Sequence, residues 1–272
     1  MKRVFKADLF DLRKSRSTYI LLLGAVLLGF LLPMMYYGIV VLLKSLSELE
    51  SIKDNPMMAS LYGMIDALDG RTAFFSSLPL SQGFGLMLTP MIGDRAVRPF
   101  GTGVYRNKVI TRIPRASIYL SQFLICLMLS MVSTALYTVV AAFTSRFAFG
   151  ELTLTGREIL VVALLSIGIY LVYTAIPVFI AFLTRSTPLT LIISPVLPIL
   201  MQTVISLVSP ALINAPEAVL SVLAVVPSFQ TIYLASATAT NAVLIVSLSA
   251  DVVIAVLLTV FGILRFKRAD MN

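Results

Sequence analysis

Long apolar stretches alternate with short polar segments along most of this chain. An apolar helix of about 20 residues is long enough to cross the hydrocarbon core of a bilayer. Transmembrane β-strands instead alternate in character over segments of about ten residues, a pattern that these stretches lack. The chain is therefore predicted to be an all-α integral membrane protein. Residues 18–272 are expected to form one transmembrane domain with six transmembrane helices, near residues 18–43, 74–93, 116–143, 159–183, 188–208 and 242–264.

Residues 1–17 predict a separate amphipathic helix that lies on the membrane surface. Phe5, Leu9 and Leu12 follow spacings of four and three and so share one helical face, with Lys and Arg residues around them. Such a helix holds its apolar face in the interface and its cations near anionic headgroups. A secretory signal peptide is the weaker alternative, because acidic residues interrupt the basic region and no A-x-A cleavage site follows the apolar stretch.

Two longer connections are expected on the side of the membrane opposite to the termini. In residues 44–78, Asn55 and Pro56 are typical of a helix start, and Gly70 suits the end of that short amphipathic helix. Residues 209–241 are apolar but are interrupted by several prolines. We expect them to form a broken hairpin between spans five and six, made of two short helices that enter the outer leaflet partway.

The distribution of charge predicts the orientation of the chain. With six spans, both termini share a side with the connections at residues 94–115 and 184–187, and that side holds sixteen of the 21 Lys and Arg residues. Loops rich in Lys and Arg face the cytoplasm. We therefore expect both termini in the cytoplasm and the protein in the plasma membrane. The net charge of +8 follows from this topology and requires no nucleic acid partner.

Composition also restricts the chemistry of the chain. There is no histidine and only one cysteine, Cys126, which lies in an apolar stretch. Histidine is the commonest metal ligand and general base, so neither a metal site nor a catalytic site is expected. No GxxxxGK[ST] phosphate-binding loop is present. The chain is therefore not expected to bind a cofactor or to hydrolyse ATP by itself.

Residues 94–115 form a charged segment between two predicted spans, with six cations and one acid. A turn at Gly101 and Gly103 is expected to lead into a short helix that runs from about Gly103 to Ile110, with Thr102 as its cap. One interpretation is that the cations only enforce topology and bind lipid phosphates. The other is that a short helix across a cytoplasmic loop receives force from a soluble partner.

The order of residues in this segment resembles that of a known family. Gly-Thr-x-x-x-Arg-Asn-Lys-Val at residues 101–109, followed by Pro-Arg-x-x-Ile-Tyr-Leu-Ser at residues 114–121, resembles the first cytoplasmic loop of type-2 ABC exporter permeases. The similarity is strongest to small permeases from Gram-positive bacteria. The basic N-terminus is similar to the elbow helix of that family, and the broken hairpin fits as well. Arg95 departs from the pattern, where a second acid or a polar residue is expected after Asp94.

This resemblance implies a function and a set of partners. The chain would be the membrane subunit of an exporter, paired with an identical or paralogous membrane subunit and with a separate ATPase subunit that binds ATP and magnesium. The cargo would be a peptide, a lipid or a hydrophobic small molecule. The elbow-helix residues would be Phe5, Leu9 and Leu12, and the coupling helix that contacts the ATPase would use Gly101, Thr102, Gly103, Tyr105, Arg106, Asn107 and Lys108.

Asp251 lies near the middle of the sixth predicted span. An acid at that depth costs about 2.5–3.5 kcal/mol by insertion scales, so it is expected to face the bundle interior or water. It is a candidate contact for cationic cargo or a proton-coupled switch. Equally, it is a candidate structural residue, bonded to Ser247 or Ser249 or neutral. Gln82, Gln122 and Gln202 are expected to join helices.

Two other functions remain open from the sequence. One is a membrane immunity or sensor protein that binds a ligand through residues 44–78 and transports nothing. The other is a secondary transporter driven by protons through Asp251. The absence of further ionisable residues within the predicted spans makes the second the weaker of the two.

Overall fold

The computed structural model describes residues 2–47, 69–208, 219, 222–236 and 239–268. These residues contain helices and connecting turns, and no strand occurs among them, which confirms the all-helical prediction. The nine helices of the described part are α1 (Lys2–Lys14), α2 (Arg16–Ser47), α3 (Gly70–Gly101), α4 (Val104–Ile110), α5 (Arg115–Phe149), α6 (Gly156–Thr184), α7 (Thr187–Val208), α8 (Pro227–Ser236) and α9 (Asn241–Lys267).

Within the described part of the chain, four helices are long and apolar enough to cross a membrane. They are Arg16–Ser45 within α2, and the whole of α5, α6 and α9, with mean hydropathies between 2.2 and 2.6. A soluble protein would not expose so much apolar surface on its helices. The chain is therefore a membrane-embedded helical protein, as its composition predicts.

Helix α6 occupies the centre of the bundle and packs against α3, α5, α7, α8 and α9. Helix α2 packs mainly on α5 and leaves large apolar residues exposed along its outer face. Glycine allows two of these helix pairs to approach closely. A Cβ added at Gly29 of α2 would lie 2.8 Å from the carbonyl oxygen of Tyr137 in α5. Gly168 of α6 lies directly against the carboxylate of Asp251 in α9.

The two ends of the bundle differ in character. At one end, α4 meets the C-terminal ends of α3, α6 and α9. Helix α1 packs against α5 at the same end and is joined to α4 through Asp8 and Lys108. We call this the basic end, because residues 94–115 lie there. At the other end, the turn between α5 and α6 meets the start of α3, where Arg71 forms an ion pair with Glu158.

The sequence pattern predicted that Gly70 ends a helix. In the structure, Gly70 is instead the first residue of α3. The carboxylate of Asp69 accepts a hydrogen bond of 2.7 Å from the N–H of Thr72 and caps this helix. That hydrogen bond lowers the pKa of Asp69. The predicted amphipathic helix starting at Asn55 lies outside the described residues.

The charged segment is less of a loop than its charge predicted. Helix α3 continues to Gly101, so Asp94 and Arg98 are helical and form an ion pair of 2.5 Å, one turn apart. Thr102 ends α3 and does not begin the short helix, because its N–H donates back to α3 carbonyls. Gly103 starts α4 with a φ of 72°, a left-handed conformation that glycine adopts at little cost.

The face of α1 that packs on the bundle contains a charged residue. Leu12 is buried and Phe5 packs partly against the core, but Leu9 is 37% exposed. Val4, Asp8 and Leu12, spaced four residues apart, point into the bundle instead. Asp8 lies on this inner face because Lys108 and Ser121 bind its carboxylate. A rule that counts only apolar residues would not place it there.

Candidate functional site at the basic end

Helix α4 has only seven residues, and Tyr105 fastens it to the bundle. The Tyr105 side chain is 1% exposed, and its hydroxyl donates a hydrogen bond of 3.1 Å to the carbonyl oxygen of Ala96 in α3. Its ring lies 4.6 Å from Phe100, 5.3 Å from Phe182 and 6.3 Å from Phe266. Burial raises the pKa of Tyr105 well above its ordinary value, so the hydroxyl stays a neutral donor. The short helix is thereby held against the ends of α3, α6 and α9.

Lys108 forms a second attachment, to the N-terminal helix. Its ammonium lies 2.5 Å from Asp8 Oδ1, and the hydroxyl of Ser121 in α5 donates to Asp8 Oδ2 at 2.6 Å. The side chains of Lys108 and Asp8 are only 15% and 9% exposed. A charge pair at such low exposure is costly to separate, because each charge would remain poorly hydrated. This triad therefore joins α1, α4 and α5.

Arg115 makes a third connection at this end. Its guanidinium donates hydrogen bonds of 3.2 Å and 2.8 Å to the carbonyl oxygens of Phe266 and Lys267. These carbonyls belong to the last turn of α9, where cations are favoured and carbonyls lack partners within the helix. The start of α5 is thus tied to the end of α9, next to the aromatic side chains around Tyr105.

A cleft of about 200 Å³ opens beside the triad, between α1 and the end of α3. Asp11, Ser15, Arg95, Arg98 and Lys108 are among the residues that line it. The Nε of Arg95 is buried and has no hydrogen-bond partner within the described part of the chain. Gln122, predicted to join helices, donates to the Arg95 carbonyl oxygen at 3.2 Å. Gln82 and Gln202 lie among residues whose side chains the structure does not describe.

The opposite face of α4 is open. Ile110 is 68% exposed, and the side chains of Arg106 and Asn107 are exposed beside it. Gly101 and Thr102 continue this surface at the end of α3. We call this the outward face of α4. Exposed apolar residues rimmed by polar ones are typical of protein interaction surfaces.

Asp251 lies apart from this end, fully buried in α9. Its Oδ1 accepts a hydrogen bond of 3.1 Å from Gln230 of α8, which also donates to the carbonyl oxygen of Ala224 at 3.0 Å. The predicted partners are wrong, since Ser249 donates to a backbone carbonyl and Ser247 Oγ has no partner in the described residues. The same holds for Asp251 Oδ2 and Gln230 Oε1.

Sequence reasoning singled out Tyr105 and Lys108 but missed their partners. Asp8 lies 100 residues from Lys108, and Gln230 lies 21 residues from Asp251. The only available signal was a single polar residue placed at helical spacing among apolar ones. No group of three or more metal-ligating side chains occurs within the described ranges.

Comparison of the chain with models of protein families and with curated proteins found no match.

Proposed function

We propose that this chain is the membrane-spanning permease subunit of an ATP-driven ABC exporter. The observation that carries the proposal is helix α4. Tyr105 and Lys108 hold this helix to the bundle on one side, while Arg106, Asn107 and Ile110 face outward on the other. A helix that is fixed to the spans and open to a partner is suited to transmit force.

The contacts define a route for that force. A push on α4 would reach α3, α6 and α9 through the ring of Tyr105, and α1 and α5 through the ion pair of Lys108 with Asp8. Packed side chains and ion pairs between rigid helices can carry such coupling. In this proposal α4 is the coupling helix and α1 is the elbow helix, with Leu12 and Phe5 holding it to the bundle and Leu9 facing outward.

The remaining parts of the proposal follow from the sequence and from the helices. Helices α2, α3, α5, α6, α7 and α9 act as six spans, and α8 belongs to the broken hairpin between the last two. The positive-inside rule places both termini and α4 in the cytoplasm of the plasma membrane. A second membrane subunit pairs with this chain. ATP and magnesium bind to the separate ATPase subunit, whose closure biases the membrane dimer between two states.

Arginine on the outward face indicates the character of the ATPase surface. Arg106 and Arg112 are exposed at this end, whereas Asp94 is already paired with Arg98 inside the chain. A groove with acidic side chains and an apolar floor would complement Arg106 and Ile110 together. The cargo would be a peptide, a lipid or a hydrophobic small molecule.

A photo-crosslinking amino acid at position 110 tests the proposal. The chain is produced in its native host, irradiated in membranes and purified, and crosslinked proteins are identified by mass spectrometry. We expect a crosslink to a protein with a phosphate-binding loop that hydrolyses ATP. The same probe at Arg146, an exposed cation at the opposite end of the bundle, is the control and should give no such product. Crosslinks at position 110 to lipid alone would contradict the proposal.

The buried carboxyl of Asp251 favours a second candidate, a proton-driven secondary transporter. In that case a protonophore would abolish transport while depletion of ATP alone would not. An ATP-driven exporter would instead lose transport when ATP is depleted and would not depend on the proton gradient. The third possibility, a ligand-binding protein that transports nothing, depends largely on residues 48–68, which lie outside the described residues.

A further inference from the structure

A lateral groove runs between α5 and α6, in the half of the bundle away from α4. It encloses about 720 Å³. We define it by residues from three helices, namely Phe74, Phe75, Met131, Ala135, Ala142 and Ala163. The proposed function does not involve this groove. None of the coupling residues of the basic end lines it.

Side-chain size explains why the groove exists. Ala135 and Ala142 are seven residues apart on α5, and Ala163 on α6 lines the same space. Small side chains usually let two helices close on each other. Here Phe74 and Phe75 of α3, 2% and 4% exposed, line the groove as well, and the two helices leave a space beside them.

The surroundings of the groove decide what fills it. Both α5 and α6 are long and apolar enough to cross the membrane, and Ala135 and Ala163 are exposed at the protein surface. Water is poorly suited to an apolar groove, since it needs two to four polar partners. An empty groove would leave its lining atoms without dispersion contacts. Its volume lies within the range of about 300–1,000 Å³ that is usual for small-molecule sites. Because α5 and α6 would be surrounded by the hydrocarbon chains of the bilayer, those chains are expected to fill the groove.

An ion pair lies at one end of the groove. Glu158 lines the groove, accepts a hydrogen bond of 2.8 Å from the N–H of Thr155 and is paired with Arg71. The Arg71 guanidinium lies 5.8 Å from the ring centre of Phe75, and half of its side chain remains exposed. A guanidinium has five N–H donors, more than one carboxylate can occupy. Arg71 therefore still offers donors to an anion that approaches from outside.

We propose that the lateral groove binds the alkyl chain of an anionic membrane amphiphile, with the phosphate of its headgroup at Arg71. The chain lies against Ala135, Ala142 and Ala163, and the two phenylalanines of α3 close the groove behind it. The proposal does not rest on the ATPase, and it would hold for a permease or for a transporter of another kind.

The test uses the full chain in vesicles that contain phosphatidylglycerol with a photoreactive diazirine on its acyl chain. Peptide mapping after irradiation is expected to find label on the groove-lining stretches of α5 and α6. Ala163→Phe fills the groove and should reduce that label at least tenfold, as should Ala135→Phe, which guards against a folding defect in one variant. Val132→Phe is the control, because Val132 is exposed on α5 outside the groove.

The headgroup is tested separately with the double variant Arg71→Gln and Glu158→Gln, which removes the cation without leaving an unpaired carboxylate. Labelling by phosphatidylglycerol should fall to the level seen with phosphatidylcholine, while the chain still enters the groove. Equal labelling of the wild type, Ala163→Phe and Ala135→Phe would overturn the proposal, because it would show that the label comes only from non-specific boundary lipid. Crosslinking of Ala163→Cys to a second copy of the chain would also overturn it, by showing a subunit interface.

Discussion

The ion pair between Lys108 and Asp8 gives the sharpest test of how α4 is held. Asp8→Asn keeps the shape of the side chain and its hydrogen bond with Ser121 but leaves the Lys108 ammonium without a counter-charge. The two side chains are 15% and 9% exposed, so water rescues the ammonium only in part. Breaking a fully buried pair costs about 3–5 kcal/mol, and we expect a loss of about 2–3 kcal/mol here.

The assay is a double-mutant cycle on Asp8→Asn, Lys108→Met and the combined variant, measured by unfolding of the purified protein in mixed micelles. Removing both charges avoids the unpaired ammonium, so the combined variant should be more stable than the sum of the single losses predicts. We expect a coupling of about 1.5–3 kcal/mol, the upper part of the range for residues in contact. Asp11→Asn, an exposed acid on the same helix, is the control.

A coupling below about 0.5 kcal/mol, the usual error of additivity, would refute this reasoning. It would mean that α1 and α4 are held by apolar packing alone and that the ion pair transmits nothing. Binding of the proposed ATPase subunit should survive in all three variants, because the outward face of α4 is unchanged.

Three further predictions concern residues away from α4. Gly168→Ala places a Cβ on the Asp251 carboxylate and should cost about 1–3 kcal/mol by overpacking, whereas Gly24→Ala, with open space around it, should be neutral; thermal unfolding compares the two. Asp251→Asn keeps an oxygen that accepts the hydrogen bond from Gln230 and should match the wild type in stability, while Asp251→Ala, which removes that acceptor, should be clearly less stable in the same measurement. Asp69→Ala should cost about 1 kcal/mol through the lost cap. Because the folded-state pKa of Asp69 lies below its ordinary 3.8, the cap contributes above that value and is lost as the pH falls below it, so wild type and variant should converge in acid.

The helical architecture could be read from the sequence because the bilayer imposes it. A long apolar stretch has few alternatives to a helix, so α5, α6 and α9 coincide closely with the predicted stretches. Helix ends were less predictable. The charges predicted a loop at residues 94–101, but the Asp94–Arg98 pair supports another two turns of α3.

The candidate site could be predicted only on one side of each contact. Residues 101–108 stood out because they are polar and ordered in a recognisable way, whereas Asp8 was only one acid in a basic helix. Its role depends on Lys108, which the fold brings to it from 100 residues away. Pairing between distant residues leaves no periodic signal in one sequence. For the same reason, the sequence pattern that singles out Asp251 does not reveal Gln230.

The face of α1 that packs on the bundle includes a polar contact that the apolar pattern does not reveal. Counting apolar residues selected Phe5, Leu9 and Leu12, but the carboxylate of Asp8 must stay with its partners. Val4, Asp8 and Leu12 face the bundle, and Leu9 is partly exposed.

The central claim is that α4 couples this chain to an ATPase, and purification from detergent-solubilised native membranes tests it most directly. Wild type is compared with a variant in which residues 101–108 are replaced by a Gly/Ser linker of equal length. We predict that an ATPase subunit co-purifies with the wild type and shows Mg-ATP hydrolysis, and that the variant loses the subunit or its coupling. If no ATPase accompanies the wild type and the variant behaves identically, residues 94–115 serve only to set topology, and the exporter assignment is wrong.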